Sequence, residues 1–159
     1  MAILVLGLGN LLMTDDALGC RTVAELERRY RFPEQVDLLD GGTLGLDLLP
    51  RLERVERLLV IDALQMGGEP GQLFRLEGEE VPRSFANKLS VHQMGLQDLL
   101  AVAELQGCLP PKLVVWGAQS VSIEMGMEMS PVVTAALEPL IDKVIAELKS
   151  WDVVPKLAA

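Results

Sequence analysis

The sequence predicts an α/β protein: a mainly parallel sheet of about five strands with helices on both faces. Three observations carry this. Short apolar runs at 2–8, 57–63 and 112–118 are too uniformly apolar to alternate, as suits strands buried on both faces. Amphipathic helical stretches separate them. The β-α-β-α-β order then implies parallel pairing with helices above and below the sheet.

The first run, Ile3–Leu6, is followed by a Gly- and Asn-containing loop over 9–16. Residues 17–31 are expected to be helical, with Leu18, Val23, Leu26 and Tyr30 near one face. Thr14, Asp15 and Asp16 supply capping chemistry for that helix. Pro33 separates it from a second strand at 36–40. Gly41, Gly42 and Thr43 read as a tight turn into a helix near 44–54, interrupted at Pro50. A third strand follows at 57–63, and Gly67–Gly71 is a loop. Gln72–Leu76 alternates like an exposed or edge strand, and 77–93 reads as irregular. A helix is expected from 95 to 106, ending before Gly107, then a strand at 112–118, a loop at 119–130 and a last helix over 131–149.

The chain has 159 residues, the size of one domain, and half of them are apolar. With two Trp, one Tyr and three Phe, the core must be mostly aliphatic. The net charge of −9 argues against phosphate-driven binding of nucleic acid and suits a basic partner or a cation better. Cys20 and Cys108 form no C-x-x-C pattern, which points to reduced thiols and no disulfide framework. The opening residues read as a strand and not a signal peptide, and no apolar run is long enough to span a membrane. The expected compartment is the cytoplasm and the expected state a monomer.

Four residues are candidates for chemistry: Asp16, Asp40, Asp62 and His92. Ligands of open α/β sheets bind beyond the carboxyl ends of the strands. Asp62 ends a run that is apolar on both faces, so its carboxylate must be paired, hydrogen-bonded or metal-bound. Asp40 is expected at the same position on the neighbouring strand, where it either caps a turn over Gly41–Gly42 or acts in the site. Either of Asp15 and Asp16 is more ordinarily an N-cap, but one can cap while the other points into the crevice. His92 is the only imidazole, in a polar loop entering a helix. Asp16, Asp62 and His92 together match the three protein ligands plus an open position of a catalytic metal site, with donors suited to a divalent transition metal.

Other chemistries fit less well. Gly7-Leu-Gly9-Asn10 follows a strand, but Leu12 stands where a dinucleotide fingerprint needs Gly or Ala, so Gly7 and Gly9 are read as turn residues with positive φ. The sequence has no H-E-x-x-H, which excludes a zincin; the absence of G-x-S-x-G weighs against an α/β-hydrolase serine, and the absence of paired D-[ST]-G motifs gives the competing two-aspartate chemistry little weight.

Four segments in order carry a specific resemblance: Leu6–Gly19, Leu39–Thr43, Val60–Ala63 and Asn87–Leu96. Over essentially its whole length the chain resembles the [NiFe]-hydrogenase maturation endopeptidases. The resemblance implies a single three-layer α/β domain over 1–159 with a twisted sheet. It implies metal contacts at Asp16, Asp62 and His92, the first being the shorter Asp where the family uses Glu or Asp. It also implies a contribution to activity from Asp40 of the D-G-G-T motif. The implied partner is the hydrogenase large-subunit precursor, whose C-terminal extension is cut after nickel insertion near a D-P-C-x-x-C-x-x-[HR] segment. The nickel is expected to be supplied by that precursor. A non-catalytic nickel-checking chaperone and a stand-alone metal hydrolase are the competing readings.

Overall fold

The computed structural model describes residues 2–9, 14–42, 48–81, 99–121, 126 and 128–158, with the backbone alone for Asp16 and Gly42. Its centre is a five-stranded sheet. Strand β1 (Ile3–Leu8) lies between β3 (Val36–Gly42) and β4 (Arg57–Leu64), and β4 pairs with β6 (Lys112–Gln119), all in parallel. The edge strand β5 (Leu73–Glu77) runs antiparallel to β6, which gives the order β3-β1-β4-β6-β5.

Both faces of the sheet are covered, which is why the inner strands are apolar throughout. Ile3, Val5, Leu59, Ile61 and Val114 face one core with residues of α1 (Leu18–Arg29) and α4 (Pro131–Ser150). Leu4, Leu6, Leu58, Val60 and Val115 face a second core with Leu52 of α2 (Leu49–Leu52) and with Leu99, Leu100 and Ala103 of α3, the helix at 99–105. Helix α1 therefore follows β1 on one face, while the chain leaving β4 passes to β6 by way of α3 on the other. The gap between the carboxyl ends of β1 and β4 is the topological switch point, where open α/β sheets place their ligands.

Glycine lets α1 seat directly on this gap. A Cβ on Gly19 would lie 2.2 Å from the Ile61 carbonyl oxygen and 2.3 Å from that of Leu8. A Cβ on Gly7 would lie 2.4 Å from the Gly19 oxygen. Gly7 is thus selected by close approach of α1, whereas the expected positive φ occurs only at Gly9, where φ is 130°.

Several local expectations are corrected. Helix α1 starts at Leu18 after one 3-10 turn, Thr14–Ala17, and ends at Arg29. Tyr30 and Arg31 leave the helix as β2 and pair with β7 (Lys156–Leu157), a non-local partner that helical periodicity cannot reveal. Gly41 and Gly42 continue β3 and do not form a turn. The register passes from Gly7↔Asp40 to Leu8↔Gly42, so Gly41 is the extra residue of a bulge. Pro50 sits in the first turn of α2, where its missing N–H costs nothing, and the expected helix before Leu48 lies outside the described residues. The edge character of β5 is as expected. Both cysteines are free thiols, and the buried Cys20 donates its S–H to the Gly9 oxygen at 3.3 Å. No helix among the described residues is long and apolar enough to cross a membrane.

Candidate active site at the switch point

Asp62 is the third residue from the end of β4 and is completely buried. Strand alternation places it with Val60 and Leu64 on the α2/α3 face. Its register partner in β6 is Gly117, so no neighbouring side chain crowds it from that strand. A carboxylate held in a dry site is costly and demands specific polar company.

Across the gap, the Thr14–Ala17 turn packs against β4. Here Asp15 departs from the expected capping role. The residue that caps α1 is Ala17, with no side-chain cap hydrogen bond. Asp15 reaches away from its own helix instead. Its Oδ2 accepts from the Val121 N–H at 2.7 Å and the Ser130 hydroxyl at 3.0 Å, and its Oδ1 accepts from the Ser130 N–H at 2.6 Å. Ser130 is the N-cap of α4, so its hydroxyl serves Asp15 and not its own helix. The Thr14 N–H also donates to the Gly126 oxygen at 2.9 Å. Thr14 holds φ 48°, a left-handed conformation that a β-branched residue adopts only under constraint. Asp15 is fully buried, and it joins the end of β6 to the start of α4 beside the backbone that carries Asp16.

Asp40 is separated from this arrangement. Strand β1 lies between β3 and β4, so Asp40 and Asp62 are not on neighbouring strands. Asp40 is exposed at the level of Gly7 and Ile61. Alternation puts it with Val36 and Leu38 on the α1/α4 face, opposite to Asp62. The side chain of Asp16 and all of His92 lie outside the described residues. The fold thus brings Asp62 and the Asp16-bearing turn to one switch point and sets Asp40 apart.

Polar side chains the sequence reading did not single out stiffen the same rim. Gln119 Oε1 accepts from the backbone N–H of Met66 at 2.7 Å and Gly68 at 3.3 Å. Its Nε2 donates to Gln65 at 3.1 Å, and Gln65 in turn donates to the Ser120 hydroxyl. The available signal was a Gln-Ser pair closing an otherwise apolar strand.

A third buried acid has a different setting. Glu147 of α4 receives Arg75 Nε at 2.6 Å, Arg75 Nη2 at 3.1 Å and the Trp116 indole N–H at 2.9 Å. Hydrogen bonding from Arg75 holds its carboxyl below the usual carboxylate range, against the opposing effect of burial.

Fold and rim together define a doubly wound α/β protein with an acidic site at its switch point. The hydrogenase maturation protease family model matches residues 20–147. The chain is 43% identical over 150 residues to the hydrogenase 2 maturation protease of Escherichia coli (strain K12), covering 94% of this chain and 92% of that protein. It is 44% identical over 153 residues to the hydrogenase expression/formation protein HupD of Bradyrhizobium diazoefficiens, covering 95% and 80%. The structure superposes with a TM-score of 0.94 on the hydrogenase maturating endopeptidase HybD from E. coli, at 41% identity and covering 99% and 98% of the two chains. The corresponding protease HybD from Thermococcus kodakarensis gives 0.74 at 29% identity, over 91% and 97%. The chain belongs to the hydrogenase maturation protease family, and it is a peptidase serving hydrogenase maturation.

Proposed function

We propose that this peptidase removes the C-terminal extension of a [NiFe]-hydrogenase large-subunit precursor once nickel has been inserted, and that the substrate's own nickel is what it recognises. The observation that carries this reading is the fully buried Asp62 at the switch point, beside the turn that bears Asp16. Asp16, Asp62 and His92 are assigned to contact the substrate's nickel. Two carboxylates and an imidazole are donors that nickel accepts, and three of them leave positions for substrate thiolates or water.

Bond cleavage needs a base for the attacking water. Asp62 is assigned this role in preference to Asp40, because Asp40 is exposed and projects to the opposite face. The water loses a proton to the carboxylate as its oxygen attacks the scissile carbonyl carbon. The tetrahedral adduct then collapses, and the departing amine takes the proton back. Asp40 is assigned to contact with the substrate chain. The working compartment is proposed to be the cytoplasm and the working form a monomer.

The test is processing of nickel-loaded precursor by Asp62→Ala and His92→Ala proteins. Both should lose cleavage while keeping wild-type folding. Wild-type rates in either variant would remove that residue from the site.

A further inference from the structure

Asp15 stands next to Asp16, and its carboxylate bonds run to Val121 and Ser130, far along the chain. We infer that Asp15 is a positioning residue for the peptidase reaction, holding the turn that presents Asp16 at the switch point. This rests on the assignment of Asp16 to the substrate's nickel.

The chemistry of the contact is specific. Both Asp15 oxygens act as acceptors, one from the Ser130 N–H and the other from the Val121 N–H and the Ser130 hydroxyl. An ionised carboxylate offers acceptors only, at both ends. An asparagine of the same shape must turn its NH₂ toward the N–H of either Val121 or Ser130, donor against donor. The bonded groups come from two distant parts of the chain, 106 and 115 residues away. They are Val121, two residues beyond the end of β6, and Ser130, the N-cap of α4. The turn is therefore tied to the chain just beyond β6 and to the start of α4, and not merely to its own helix.

A second observation points the same way. Thr14 is held at φ 48° while its N–H is bound to the Gly126 oxygen, and a Cβ on Gly126 would lie 3.0 Å from Thr14 Cγ2. Backbone in this region persists only where the surroundings over-determine it, and such places cluster at functional sites. Thr14 and Asp15, at consecutive positions, clamp the turn to Gly126, Val121 and Ser130, and Asp16 is the next residue.

A group that only stabilises the fold changes how much active protein is present, which lowers apparent kcat and leaves KM alone. A group that aims a substrate contact changes KM. The experiment measures kcat and KM on nickel-loaded precursor for wild type, Asp15→Asn, Ser130→Ala and Asp16→Asn, with the folded fraction of each read by circular dichroism. Asp15→Asn should raise KM about tenfold. Ser130→Ala loses one of the three bonds and should raise KM about two- to threefold. Unchanged KM in both variants, with any loss of apparent kcat matching the unfolded fraction, overturns the inference. If Asp15→Asn does not fold, Ser130→Ala decides alone by the same criterion. Wild-type kinetics in Asp16→Asn would sink the Asp16 assignment itself, a result distinct from normal KM in the Asp15 and Ser130 variants alongside a disabled Asp16→Asn.

Discussion

The carboxyl rim between β1 and β4 and the flank where β5 and β6 meet α4 each bury acid, and they treat it differently. At the flank, Glu147 receives a two-pronged guanidinium from Arg75 and an indole N–H from Trp116. Nearby, Lys112 and Arg75 both bond Glu77, whose carboxyl is held below its ordinary value first by the Lys112 hydrogen bond and then by Arg75. Charge there is matched by charge, and the result is architecture. At the rim, Asp15 is met by backbone N–H groups and a hydroxyl, which fix direction, and Asp62 lies buried where the topology reverses. The comparison teaches that a buried acid becomes informative about function when its partners orient it at a place where the fold leaves room for a ligand.

The comparison breaks most visibly if the two acids can be exchanged in their effects. Asp62→Asn should cut the cleavage rate by about 10²–10⁴-fold, the range for a lost general base, with little change in melting temperature. Gly19→Ala tests the support beneath the rim. Its Cβ would meet fixed carbonyl oxygens of Ile61 and Leu8, so destabilisation of about 3 kcal/mol and a melting point lower by about 6–12 °C are expected by calorimetry.

Glu147→Ala should do the reverse of Asp62→Asn. It removes one partner of a largely buried pair, and because Arg75 is 35% exposed the cost is discounted to about 2 kcal/mol, with kcat/KM unchanged below the transition. The sign with pH follows from the lowered carboxyl of Glu147. Its stabilisation is fully present above the ordinary value of 4.5 and is lost as pH falls through the lower folded-state value, so the variant's deficit should close in acid. Asp40→Ala should be mildest, below about tenfold in kcat/KM, because the proposed base is Asp62 and Asp40 is exposed on the opposite face. A loss as large as that of Asp62→Asn would undo the division between the faces.

Much of this was legible in the sequence. Uniformly apolar runs located β1, β4 and β6, and alternation located β5, because burial on two faces or one leaves different patterns. Asp62 was legible as an acid closing an apolar run. What escaped depends on distant partners. Tyr30 and Arg31 extend because β7 pairs with them from the far end of the chain. Gly41 bulges because β1 and β3 shift register there. Strand order cannot be seen in sequence, so Asp40 is expected beside Asp62, whereas β1 inserts between their strands. Asp15 resembles a helix cap in sequence for the same reason: Val121 and Ser130 come close only in the fold.

Nickel-gated removal of a C-terminal peptide is tested by intact-mass spectrometry of the cognate large-subunit precursor. The precursor is incubated with this protein before and after nickel loading. Loss of a single C-terminal peptide in the nickel-loaded sample alone is the result this account requires. An unchanged mass in both samples, with nickel loading and binding of the two proteins verified, would contradict it.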